Sequence, residues 1–380
     1  MKNRFVKNNL SLYSKAVHGA MMLMDKRISR RVVVFESDDW GSIRMPSLDA
    51  FKRLKSQGVV FPDYGYELTD SLASNKDLEC LMEVLSSVKD AHGKPAKLTM
   101  NCVTSNPDFI KIKENGFREY YSEPFTETLK RYPNHDRSFD LLNKGINEGV
   151  FKPQFHGREH LNAQKWMFFL RRNVDAVKKG FNEGLFCMGI PQDSGGYEYV
   201  LEAYDINRSD EKDYVKKSIN EGLSLFSDLF GFSSESMISP CYLWDDFIED
   251  EAFVKGVRYI QGGYIQKHSR LEKEAGNYIS GHFFGEKNRN GQIYLIRNCS
   301  FEPSQNKYND ADSCMNDITR AFKLHVPAIV SCHRLNFIGD LDPRNRDNNL
   351  KEFKKLLELI VNKYPDVEFL TSDECGHLYE

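Results

Sequence analysis

Short runs rich in β-branched residues alternate along this chain with longer amphipathic stretches, and few folds accept that alternation. Runs at Arg31–Glu36 (RVVVFE), Lys97–Val103 (KLTMNCV), Phe151–Phe155 (FKPQF) and Ser236–Pro240 (SMISP) read as strands. So do Val257–Gln261 (VRYIQ), Ile293–Cys299 (IYLIRNC), Pro327–Cys332 (PAIVSC) and Val367–Thr371 (VEFLT). Between them, helical periodicity is clearest over Asp77–Ala91, Phe139–Glu148, Ala163–Asn182, Asp210–Phe230, Asp310–Leu324 and Asn349–Tyr364. Strands that alternate with helices pair in parallel, and seven or eight such units close into a barrel. The expectation is an α/β protein: a parallel (β/α) barrel of seven or eight strands with loop insertions. The insertions fall at Phe186–Ser209 and Gly262–Asn290, both rich in Gly, Tyr and Asp. The 380 residues divide into an N-terminal extension, 1–30, and one barrel domain, 31–380.

Composition narrows the function. The net charge of −3 gives no basic face, so no nucleic-acid partner is expected. No window approaches the roughly 20 apolar residues of a membrane span. The apolar run Ala20–Met24 is too short for a secretory signal core. Eight cysteines lie scattered without CxxC spacing, several inside apolar runs. That pattern fits reduced thiols in a cytoplasmic protein.

Unusual polar residues sit where strands end. Asp38 and Asp39 follow the first strand and His156 and His160 the third. Tyr242, Trp244, Asp245 and Asp246 follow the fourth, Glu302 the sixth, and His333 the seventh. In a parallel barrel those ends converge on one mouth, so residues far apart in sequence meet there. Two imidazoles four residues apart, as in His156-Gly-Arg-Glu-His160, can aim two nitrogens at one ion. Alone, such a pair is more often two unrelated surface histidines. Adjacent aspartates after an apolar strand repel unless a cation intervenes; one can bind that cation while the other stays free as a base. A histidine closing Ala328-Ile329-Val330-Ser331-Cys332 suits a general acid near neutral pH.

Together these residues resemble the polysaccharide deacetylase (NodB-like carbohydrate esterase) family, as a divergent member. Its Asp-Asp motif is matched by Phe35–Gly41, its His-x-x-x-His by His156–His160, and its terminal strand ending in His by Ile329–His333. Its Pro-aromatic motif is matched roughly by Ser239-Pro240-Cys241-Tyr242, without the Arg that usually precedes it. The motif that braces the catalytic base has no clear counterpart; Arg297, Glu302 and Trp244 are candidates to replace it. The resemblance implies a metal-dependent hydrolase that removes acetyl groups from an acetylated carbohydrate, an N-acetyl amino sugar first among them. It implies Asp39, His156 and His160 as ligands of a divalent metal, Zn²⁺ being the expected ion. Asp38 would be the base and His333 the acid, with the oxyanion against the metal and a backbone N–H near Tyr242. Tyr242, Trp244 and Trp40 would stack on a sugar ring.

Two other classes compete. A glycoside hydrolase would need a carboxylate pair, such as Asp38 with Glu302 or Asp245, and would leave the paired histidines without a purpose. A decayed glycan-binding protein would fit the missing Arg but not the retention of ligands, base and acid together.

Overall fold

The computed structural model describes residues 14–61 and 66–380. Every expected run contributes to one parallel sheet. Its strands are β1 (Val32–Trp40), β2 (Leu98–Cys102), β3 (Phe151–Phe155), β4 (Ser236–Ile238), β5 (Tyr259–Gly262), β6 (Ile293–Ile296), β7 (Cys299–Ser300), β8 (Ala328–His333) and β9 (Glu368–Leu370). The lateral order is β6-β5-β4-β3-β2-β1-β8-β7, with β9 beside the first half of β1. The two ends of that order, β6 and β7, are consecutive in the chain. The Arg297 amide still donates to the Gly262 carbonyl of β5 at 2.7 Å, and the next amide, Asn298, donates to Ile329 of β8 at 3.2 Å. One extended stretch therefore changes neighbours midway and closes a (β/α) barrel.

The connections are helical: α1 (Asn75–Ser87), α2 (Ser138–Asn147), α3 (Lys212–Phe230), α4 (Asp246–Val254), α5 (Ala311–Lys323) and α6 (Pro343–Lys363). α1 starts at a capping box, in which Ser74 and Asp77 satisfy each other's backbone amides. Its Leu78, Leu81, Met82 and Leu85 are buried, as are Leu350, Phe353, Leu356, Leu357 and Ile360 of α6. Burying each such side chain stabilises the fold by about 1.5–3 kcal/mol before entropy is counted. Val32, Val33, Val34 and Phe35 of β1 are fully buried, because interior and helices cover both faces of the strand. Phe35 points outward, its ring edge-to-face with Phe353 of α6 at 5.0 Å. Glu36 and Asp38 alternate with it and point into the barrel.

Several expectations change in detail. The expected helix Ala163–Asn182 is two helices, Ala163–Arg171 and Asp175–Asn182; Asn173, at φ 53°, breaks it. The expected loop insertions carry hairpins, Ile190–Pro191 with Tyr197–Glu198 and Ile265–Lys267 with Ile279–Gly281. Helix α4 was not anticipated, since its acidic sequence DFIEDEAFV is only nine residues long. Residues 14–24 are helical, with Val17 and Met21 against Gly281 and the His18 ring 4.6 Å from that of Tyr264. Residues 1–13 of the expected extension lie outside the described residues. All eight cysteines are free thiols. Among the described residues no helix is long and apolar enough to cross a membrane.

One irregularity shapes the C-terminal end of β1. Between Ser37 and Trp40 the register of β1 against β2 shifts, which marks a β-bulge, and Asp39 takes a left-handed backbone at φ 74°. Gly41 comes next in that conformation, at φ 82°, and a β-carbon there would stand 2.8 Å from the Val103 carbonyl oxygen. Gly41→Ala should therefore cost about 1–3 kcal/mol through backbone strain and steric conflict. Urea unfolding of the two proteins measures the difference; equal midpoints would show that the bulge tolerates a side chain.

Candidate metal and acid–base centre

In a regular strand Asp38 and Asp39 would face opposite ways. The bulge turns both toward the C-terminal mouth, where they line a cavity of 370 Å³ with His156, His160, Tyr242 and His333. The mouth thus brings together six of the residues expected from the sequence. Arg44, Tyr66, Glu67, Cys187, Cys241 and Lys267 share its wall.

Asp39, His156 and His160 are buried, with ligating atoms all within 4.8 Å of one another. Asp39 Oδ1 lies 3.6 Å from His156 Nε2 and 3.5 Å from His160 Nε2. Two atoms bound tetrahedrally at about 2.1 Å from one ion stand about 3.4 Å apart, so the spacing fits a metal. His156 Nδ1 lies 2.9 Å from the Ile238 carbonyl oxygen, which can only accept; in the neutral ring the proton therefore sits on Nδ1 and Nε2 carries the lone pair. That Nε2 is buried without a hydrogen-bond partner among the described residues. Burial, reinforced by Arg44, pushes His160 down to about 3 and keeps it neutral, as a ligand must be. Burial works against ionised Asp39, but its neighbours, Arg44 foremost, outweigh it and hold its carboxyl well below the usual range. Arg44 Nη2 is 2.9 Å from Asp39 Oδ1.

Asp38 has different partners. Arg297 grips it at both oxygens, Nη1 to Oδ2 and Nη2 to Oδ1, each at 2.7 Å. Asn101 donates to Oδ1 at 2.8 Å. The same guanidinium donates from Nε to Glu36 at 2.6 Å, and Ser372 donates to the other Glu36 oxygen at 2.7 Å. Burial raises Asp38, yet Arg297 overrides it and brings the carboxyl to about 2. His333 is in register with Asp38 on the neighbouring strand, with Nε2 4.0 Å from Asp38 Oδ2. Its Nδ1 donates to Glu302 Oε1 at 2.5 Å, and Asn336 donates to Glu302 Oε2 at 2.7 Å. Burial lowers His333, but the Glu302 charge and hydrogen bond outweigh it and hold the imidazole at about 9. At neutral pH the pair is thus a carboxylate beside an imidazolium.

Of the three candidates for the unmatched motif, Arg297 clamps Asp38 and Glu302 holds His333. Trp244 does neither: it is 1% exposed and donates to Glu249 at 2.9 Å. Trp40 is 2% exposed and donates to Ser37 at 3.0 Å. Neither tryptophan lines the cavity, so neither is placed to stack on a ligand. Tyr242 does line it, with its hydroxyl 2.9 Å from Arg297 Nη1. Its backbone amide is engaged by the Ser239 carbonyl at 3.1 Å and is not free for an oxyanion. Asp245 is buried away from the cavity, accepting from the Ser269 amide at 3.1 Å. Sequence reasoning missed Arg44, Glu36, Asn101 and Asp70. The available signal was polarity inside apolar strands: Glu36 follows VVVF, and Asn101 interrupts LTM-C.

No family model and no curated protein matches the chain. Solved structures similar to it include a 4-alpha-glucanotransferase from Thermococcus litoralis, at TM-score 0.46 and 10% identity over 92% of this chain and 40% of that one. An allantoinase is similar at TM-score 0.45 and 10% identity, over 92% of this chain and 89% of that one. A probable polysaccharide deacetylase from Pseudomonas aeruginosa PAO1 is similar at TM-score 0.44 and 9% identity, over 92% and 90%. At such distances the function has to be read from the centre itself.

Arg297 generates a stability test. Arg297→Met leaves Glu36 and Asp38 buried without their cation, which should cost about 3–5 kcal/mol at pH 7. Wild-type Asp38 is held at about 2 against an ordinary 3.8, so its stabilisation is present above 3.8 and disappears as the pH falls through 2. In the variant the unpaired carboxyls take up protons as the pH falls. The deficit should therefore narrow from pH 7 to pH 4 in denaturant titrations; a constant deficit would mean that packing rather than charge is lost.

Proposed function

We propose that this chain is a metal-dependent hydrolase that removes acetyl groups from a carbohydrate, an N-acetyl amino sugar in particular. The observation that carries the reading is the meeting of three parts in one cavity. An Asp39-His156-His160 cluster fit for a metal stands beside a carboxylate, Asp38, and an imidazolium, His333, each fixed by its own partner. The donor set of two imidazoles and one carboxylate suits Zn²⁺. A divalent ion held there would acidify water and polarise an acyl carbonyl.

The remaining work falls to the chain. Asp38 accepts the proton of the attacking water; the Arg297 fork fixes which lone pair meets it. His333 delivers a proton to the leaving amine or hydroxyl, and Glu302 both orients the ring and keeps it charged. Tyr242, half-buried on the cavity wall, offers a face to the sugar. Eight unpaired cysteines support work in a reducing compartment, on a small or lipid-linked intracellular substrate rather than a finished polymer.

Elemental analysis tests the ligands: wild type should carry near-stoichiometric metal and His156→Ala should lose it, whereas equal content in both would remove the assignment. Asp38→Asn should keep the metal and lower acetate release about 100- to 10,000-fold, the usual range for a general base. If Asp38→Asn instead strips the metal and Asp39→Asn retains it, the two roles are exchanged.

The pH profile tests Glu302. His333 acts as an acid only while protonated, so activity falls as pH rises through its pKa, which Glu302 raises. Glu302→Gln should move that alkaline limb to lower pH, and an unmoved limb would assign it to another group.

A further inference from the structure

A second cavity, of 580 Å³, lies against the first. Tyr242 and Lys267 line both. Apolar groups dominate the second wall: Met22 from the N-terminal helix, Ile265 beside Lys267, and Ala321, Leu324 and Val326 at the end of α5. Its other cations are already matched. Arg320 pairs with Asp317 at 2.6 Å, and Arg297 is held by Glu36 and Asp38. Lys267 is exposed and has no anionic partner among the described residues, although it lines both cavities.

An unmatched ammonium shared by the cavity of Asp38 and His333 and its mainly apolar neighbour complements an anion that links a reacting sugar to an apolar chain. We propose that the substrate is an acetylated sugar joined through a phosphate to an apolar chain. The sugar occupies the cavity beside Asp38 and His333, the phosphate meets Lys267, and the chain fills the second cavity. The proposal rests on the acyl-sugar reading of the first cavity, and the apolar cavity with Lys267 is new to it.

Alkyl phosphates, which carry no acyl group, test the second cavity by itself. Calorimetry with metal-loaded protein should show octyl phosphate binding at least about tenfold more tightly than butyl phosphate, as burial of added methylenes requires. Lys267→Met should weaken octyl phosphate about tenfold through loss of the charge-assisted contact. Leu324→Glu, at an exposed position, should weaken it by setting a carboxylate against chain and phosphate. Affinity independent of chain length, or unchanged in Lys267→Met, overturns the proposal. Acetate release is then compared between N-acetylglucosamine joined to octanol through a phosphodiester and its neutral octyl glycoside. Preference for the phosphodiester supports the proposal; equal rates remove the phosphate from it. Chain-dependent binding without acetate release from either compound leaves the apolar site standing and removes the deacetylase reading.

Discussion

Arg297 is 8% exposed inside a closed barrel and its guanidinium contacts two carboxylates from the same strand. An isolated charge there would cost several kcal/mol, and so would either carboxylate alone. The three are tolerable only together, and only if the geometry is maintained. Arg297 stands at the step where the closing stretch leaves β5 for β8. Barrel closure therefore delivers the cation, and the cation makes Glu36 and Asp38 acceptable in β1. Asn101 extends the network, donating to Asp38 and to Gln261 at 2.8 Å each, so β2 and β5 are tied to the same point. A barrel interior normally filled by branched apolar side chains is here a hydrogen-bonded polar layer.

That layer gives two adjacent aspartates different surroundings. The bulge presents both at the mouth, but Asp38 stays within reach of the interior arginine while Asp39, at φ 74°, turns toward the histidines. Asp38 has both oxygens occupied by one rigid fork, which suits an orienting contact and leaves little room for an ion. Asp39 keeps one oxygen within 3.6 Å of two imidazole nitrogens. Backbone geometry thus gives chemically identical side chains different surroundings: one lies in the Arg297 fork and its neighbour beside two imidazoles.

The fold was legible because its signals are local. Each strand run is short and β-branched, and the helices between them keep a 3.6-residue period, so all eight runs and the parallel order follow from pattern alone. The ends His156–His160 and Asp38–Asp39 were legible because a barrel sends its C-terminal strand ends to one mouth. Arg297 and Glu302 could be named but not given roles, since the choice depended on a change of strand partner two residues long. Trp40 and Trp244 misled because an aromatic beside a catalytic motif looks the same in sequence whether it faces a ligand or the core. Arg44 was missed for a similar reason: its link to Asp39 and Asp70 depends on the fold of the loop after β1, and nothing periodic marks it.

The charge pattern around Asp39 carries the synthesis one step further. Asp38 shares a full guanidinium with Glu36, and Glu302 holds an imidazolium. Asp39 has only part of Arg44, which is also drawn to Asp70 at 3.4 Å, while Asp70 has Arg334 at 2.9 Å. Beyond Arg44, its nearest nitrogens are His160 Nε2 at 3.5 Å, in a ring kept neutral by burial, and His156 Nε2 at 3.6 Å, in a ring whose Nδ1 donates to a backbone carbonyl. A lone pair facing the carboxylate is repulsive in a medium of low dielectric, and the cation set against it is Arg44, shared with Asp70. A cation at the point on which Asp39, His156 and His160 converge would offset that repulsion. The electrostatic demand for an ion is therefore strongest at Asp39 and weakest at Asp38, the same division that backbone geometry imposes on the two residues.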